Sequence, residues 1–158
     1  MKLYPREFAL LAREIVNNEE YQKMKSIKHH HESVYKHSVS TAYMSYNLAK
    51  RLNLDYISIT RGCLLHDFFL YKFKRGKGLR IISAPFIHMR KHPLIALENA
   101  LRHFSLNSKE CNIIRSHMFP VGLPKSREAW IVTFVDKFSA TIEYSIRAKR
   151  RLMANLFS

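Results

Sequence analysis

Glycine and proline are scarce here, four and five in 158 residues, and cysteine is scarcer still, with two. So few turn-formers exclude a loop-dominated or low-complexity chain. Cys63 and Cys111 each lie in an apolar stretch of helical pattern, which excludes a disulfide framework and fits a reducing compartment. No apolar run approaches the ~20 residues that a membrane span requires. The opening "MKLYPREFALLAREIV" is interrupted by Pro5, Arg6, Glu7, Arg13 and Glu14, a pattern foreign to a signal peptide. A soluble cytoplasmic protein with no membrane partner is the expectation. Aspartate is the scarcest charged residue, with only Asp55, Asp67 and Asp136.

What is present is an ordered, basic chain. Hydrophobic residues make up 47%, and 158 residues suffice for one domain with a core of its own, residues 1–158. The formal charge of +15 favours anionic partners such as nucleotides, nucleic acid or acidic headgroups. A basic, solvated surface accounts for the same charge equally well.

The periodicity predicts an all-α fold. Pro5 suits a first helical turn, with Phe8, Leu11, Ala12 and Ile15 following at helical spacing. From Ser33 to Leu52 a longer helix carries Ser38, Ala42, Ser45 and Ala49 as a small-residue stripe fit for close packing. Asp55 is placed to cap the next helix, which runs through Ile59 and Cys63 to His66 and Asp67. The stretch "KFKRGKGLRIISAP" reads as irregular, and a helix is expected to start at Pro93. Asn107 and Glu110 have capping-box spacing, and Ser126 caps a last long helix through Trp130 and Asp136.

Asp55 is explained as a cap; the other two aspartates are not. "LLHDFF" and "IVTFVDKFSA" surround Asp67 and Asp136 with apolar residues, where an unpaired carboxylate costs several kcal/mol. His66 beside Asp67 is a weak signal alone. Further histidines stand on separate segments: His37 in "SVYKHSVSTA", His92 before Pro93, and His117 closing "CNIIRSHMF". A helical bundle converges such side chains on one interior point, and imidazole with carboxylate suits Fe, Mn, Zn or similar divalent ions.

This H…HD…H…H…D order resembles the HD-domain metal-dependent phosphohydrolases, over about residues 30–145. "LLHD" is similar to the family's core motif, "HPLIALENA" to its His-Pro segment and "IVTFVDKFSA" to its final aspartate segment. Among subgroups the pattern resembles the dinuclear members, including HD-GYP phosphodiesterases and bacterial diadenosine tetraphosphate hydrolases. The resemblance implies an all-α domain in which His37, His66, Asp67 and Asp136 hold one metal. It implies that Asp67 bridges to a second ion held by His92 and His117, with His66 and Asp67 at the catalytic centre. The implied activity is hydrolysis of a phosphate ester or anhydride by metal-activated water, on a small phosphorylated metabolite such as a nucleotide. Two departures stand out: Leu70 occupies the place where related dinuclear enzymes carry lysine, and no full "HHE…GYP" signature follows His117. Cleavage of cyclic dinucleotides is therefore not expected.

The basic stretch with Lys72, Arg75 and Arg80 follows the motif directly and is a candidate to receive substrate phosphates, the two arginines by bidentate contact. A solvated loop is the competing reading. His29, His30 and His31 read as solvated loop, and His103 as an outer-face residue. His88 and His92 stand at i,i+4, but Met89 fills the place of the "HExxH" glutamate, and Pro93 biases His92 away from a shared helix. Two other function classes stay open: a domain that binds metal and nucleotide without turnover, and a basic nucleic-acid-binding protein using the +15 surface and the terminal "RAKRR".

Overall fold

The computed structural model describes residues 4–29, 32–70 and 80–156. Its helices are α1 (Arg6–Val16), α2 (Glu19–Gln22), α3 (Val34–Arg51), α4 (Tyr56–Leu65), α5 (Arg80–His103), α6 (Ser108–Ser116) and α7 (Arg127–Leu156). A 3₁₀ turn, Lys23–Ser26, follows α2, and two-residue strands β1 (Lys28–His29) and β2 (Glu32–Ser33) pair antiparallel before α3. The sequence carries no expectation of this ladder, which is too short to form a layer. The architecture is all-α.

The helix ends form where the side chains can satisfy the first orphan N–H groups. Ser33 Oγ accepts from Lys36 N at α3, and Asp55 Oδ1 accepts from Ser58 N at α4. Asn107 and Glu110 complete a reciprocal capping box at α6. Ser126 Oγ accepts from Ala129 N at α7. At the end of α3, Asn53 takes a positive φ of 51°, and Leu54 N donates to Ala49 O, the bond that closes a Schellman turn.

Helix α4 is the hub, packed against α3, α6, α1 and α7. Its contact with α3 is close because the stripe Ser38, Ala42, Ser45 and Ala49 is small, and all four are buried. On its other side Gly62 meets Ile113 of α6 so closely that an added Cβ would lie 3.0 Å from Ile113 Cβ. Arg61 clamps the periphery: Nε donates to Glu110 of α6, a terminal nitrogen to Glu14 of α1, and the other to Ser105 O. Phe8, Ala12 and Ile15 bring α1 into the same core.

One expectation fails: α5 does not start at Pro93. It runs unbroken from Arg80, so Arg80–Pro85 is helical and His88 and His92 share one continuous helix. Proline's fixed φ near −65° is a helical value, and the cost is a lost hydrogen bond to the carbonyl four residues earlier together with the ring's crowding of that carbonyl. With Pro93 buried alongside His92, Ala96 and Ala100, packing offsets that cost. The protease reading still fails on Met89.

Candidate metal centre

Five elements deliver six side chains to one interior region. His37 comes from the second turn of α3, His92 from the middle of α5 and Asp136 from α7. His66 and His117 occupy equivalent positions, each the residue that ends its helix, α4 and α6. Beyond His66 the chain turns at Asp67: Phe68 N donates to Leu65 O and Phe69 N to Asp67 O. Phe68 and Phe69 are both buried and anchor that turn, and Asn99 of α5 donates to Phe68 O at 2.9 Å. The apolar pair that makes Asp67 look anomalous in the sequence is what pins it in place.

Asp67 lies at the centre, 4% exposed, with a different set of imidazoles on each oxygen. Its Oδ1 is 3.2 Å from His92 Nε2 and 3.5 Å from His117 Nε2, while Oδ2 is 3.5 Å from His66 Nε2. Asp136 Oδ1 lies 2.9 Å from His37 Nε2 and 3.4 Å from His66 Nε2. Two triads therefore offer ligand atoms mutually within 4.8 Å, His37–His66–Asp67 and Asp67–His92–His117, and they share Asp67.

The backbone sets the tautomers. His66 Nδ1 lies 2.6 Å from Cys63 O and His117 Nδ1 lies 2.8 Å from Ile114 O, each three residues back. A carbonyl only accepts, so each Nδ1 carries the proton and each Nε2 turns a lone pair inward. That second hydrogen bond is the usual means of orienting a metal-ligating histidine. His66 Nε2 is buried and has no hydrogen-bond partner among the described residues, the nearest carboxylate oxygens lying at 3.4 and 3.5 Å. His92 Nε2 and His117 Nε2 face each other at 2.7 Å. The orphaned Nε2 of His66, further inward imidazoles and two carboxylates are what a divalent transition metal takes, so the donor set fits such an ion.

The electrostatics agree. Burial would raise the Asp67 carboxyl, but the His66, His117 and His92 imidazoles around it outweigh burial and hold it well below the usual carboxylate range. Asp136 behaves likewise under His37 and His66. Burial lowers His66 too, yet Asp67 and Asp136 together drive it well above its ordinary value. His117 is lowered by burial. The pocket thus keeps its carboxylates anionic, a charge that suits a bound cation.

All six expected ligands converge. The expected phosphate-binding residues are less visible: Lys72 and Arg75 lie outside the described residues, and only the backbone of Arg80 is described, at the first position of α5. His103 is exposed, as expected, and of the His29–His31 tract only the His29 backbone is described, in β1. Sequence reasoning misses Asn99 and the two carbonyl partners. The carbonyls could have been found, since a histidine just past an apolar helical run sits within reach of the carbonyl three residues back.

The HD-domain family model matches residues 34–141, which includes all six of these residues. Among curated proteins, the chain is similar to Ribonuclease Y of Borrelia garinii subsp. bavariensis and of Borreliella afzelii, each 35% identical over 112 residues and covering 70% of this chain. Ribonuclease Y of Borreliella burgdorferi is 34% identical over the same length. The chain spans about a fifth of the length of these relatives, 19% of each. No solved structure matches.

Proposed function

Because the chain belongs to the HD-domain family of metal-dependent phosphohydrolases, we propose that His37, His66, Asp67, His92, His117 and Asp136 hold a pair of divalent transition-metal ions and that the chain hydrolyses a phosphate ester or anhydride of a nucleotide. The observation that carries this reading is the sharing of Asp67 between two imidazole triads, one carboxylate oxygen to each. When bound, such ions supply Lewis acidity and lower the pKa of a coordinated water so that hydroxide is available near neutrality.

The protein's own part is positional. Cys63 O and Ile114 O hold the rings of His66 and His117 with Nε2 inward. Asp67 and Asp136 stay anionic and supply the negative charge that a cationic centre needs. His66 and Asp67, held by the buried turn Leu65–Phe69, keep the reacting region fixed, so little reorganisation is needed at the moment of reaction. Lys72, Arg75 and Arg80, which follow Asp67 closely in the chain, receive the outer phosphates in this reading.

A second reading has its own support: the relatives are ribonucleases by name, and the +15 charge suits a polyanion, so the scissile bond would be an RNA phosphodiester. Elemental analysis of protein purified without chelators, followed by turnover assays on nucleoside mono- and triphosphates and on a short oligoribonucleotide, tests both. Two ions per chain with nucleotide turnover supports the first reading, and turnover confined to the oligonucleotide supports the second. Metal with no turnover on any substrate would leave a binding domain instead.

A further inference from the structure

We propose a second ligand site, separate from the metal centre, on the outer side of α5 and α6, where a cleft takes a small organic phosphate of the nucleoside monophosphate class. The cleft has two lobes. The larger, about 560 Å³, lies between α5, α6 and the 121–125 loop, with Leu97, Asn112, Arg115, Leu123 and Lys125 on its walls. The smaller, about 200 Å³, is lined by Arg90, Leu94 and, again, Arg115. Arg115 stands at the junction. The larger volume is within the range of ordinary small-molecule pockets.

Helix geometry separates this cleft from the metal centre. Two residues of α-helix are about 200° of rotation. His92 is two positions from both Arg90 and Leu94, and His117 two positions from Arg115. Each helix therefore turns its histidine inward and its arginine outward, and α5 and α6 form a partition between the two sites.

The wall chemistry selects an anion with an apolar body. Among the described residues neither Arg115 nor Lys125 forms an ion pair, whereas Lys23, Lys50, Arg61, Arg102 and Lys109 all do. Asn112 Oδ1 accepts from Lys125 N at 2.9 Å, which fixes its amide beside the loop. No carboxylate side chain is among the described residues that line the cleft, and an arginine fork matches phosphate bidentately. Beside the cations stand aliphatic residues that offer an apolar face: Leu94 is 51% and Leu123 66% exposed. The walls are also rigid. Gly122 lies so close to α6 that a Cβ would come within 2.6 Å of Arg115 O and 2.8 Å of Ser116 Cα, so the loop is seated on the helix backbone. The phosphate sits against Arg115, and the nucleoside covers Leu97 and Leu123 with Lys125 at the rim.

The test uses the full chain stripped of metal with a chelator, so that the six-residue centre cannot hold a phosphate through ions. Calorimetric titration with AMP should show binding, and adenosine or inorganic phosphate alone should bind at least about tenfold more weakly, since each lacks half of the recognition. Arg115→Ala and Leu123→Glu should each weaken AMP about tenfold or more, the first by removing the shared cation and the second by placing a carboxylate among the donors. Leu123 is exposed enough that its replacement leaves the core untouched, so a loss there is not misfolding. Asp67→Asn should leave AMP affinity unchanged. Absence of AMP binding without metal, affinity indifferent to both cleft substitutions, or phosphate binding as tightly as AMP would overturn the proposal.

Discussion

Replacing Asp67 with asparagine keeps the volume of the side chain and removes one charge from the point the two triads share. The carboxylate oxygens lie 3.2–3.5 Å from three imidazole nitrogens, so any cation held by those nitrogens is close to Asp67 as well. At an effective dielectric near 20, a unit charge pair about 4 Å apart interacts by about 4 kcal/mol, and a divalent ion by about twice that. Desolvation offsets part, so a net loss of about 4 kcal/mol is a fair scale, roughly a thousandfold in Kd. The consequence is visible in stability. An ion at a hundred times its Kd stabilises the folded chain by about 2.7 kcal/mol, and after a thousandfold loss the same concentration adds almost nothing. Thermal unfolding of wild type and Asp67→Asn, with and without Mn²⁺, is the assay, read beside metal content after dialysis. Wild type should gain several degrees from Mn²⁺ and the variant none. An Asp67→Asn protein that retains two ions and the full thermal shift would refute the sharing of Asp67 and with it the dinuclear reading.

Other expectations follow from particular contacts. His92→Ala and His117→Ala should each keep one ion per chain, held by His37, His66, Asp67 and Asp136, while losing most turnover; elemental analysis showing two ions in either variant would contradict the assignment. Lys50 Nζ at 2.5 Å and Tyr46 Oη at 2.6 Å from Glu7 lower its carboxyl from 4.5 to about 2. A depressed folded value means that the contribution of Glu7 is fully present above pH 4.5 and is lost as pH falls toward 2. The Tm difference between wild type and Glu7→Gln should therefore be constant above that window and close within it. Gly62→Ala should cost about 1 kcal/mol in urea unfolding, because crowding of Ile113 at 3.0 Å, worth about 1–3 kcal/mol, exceeds the helix-propensity gain of roughly 1. Gly122→Ala should cost more, about 2 kcal/mol or above, since the obstructing atoms are α6 backbone and cannot rotate away.

Much of this molecule is legible in the one-dimensional order of residues. Caps are local, so Ser33, Asp55, Asn107 with Glu110, and Ser126 announce helix starts that the fold then shows. The small-residue stripe of α3 foretells a close neighbour, because only small side chains admit one. The six candidate ligands stand out for a related reason: aspartate and histidine in apolar surroundings carry a desolvation cost that demands a partner, and the ordered motif supplies the grouping.

The exceptions are those where distant segments decide. Pro93 reads as a boundary because local sterics disfavour helix before proline, yet burial beside Ala96 and Ala100 carries α5 through it. Which oxygen of Asp67 faces which imidazole depends on how α4, α5 and α6 pack against one another. Arg115 and Lys125 look like ordinary surface cations in the sequence. Only the seating of Gly122 against α6 brings them to one cleft, because the packing of a loop on a helix is a property of surfaces that meet in space and not of neighbours along the chain.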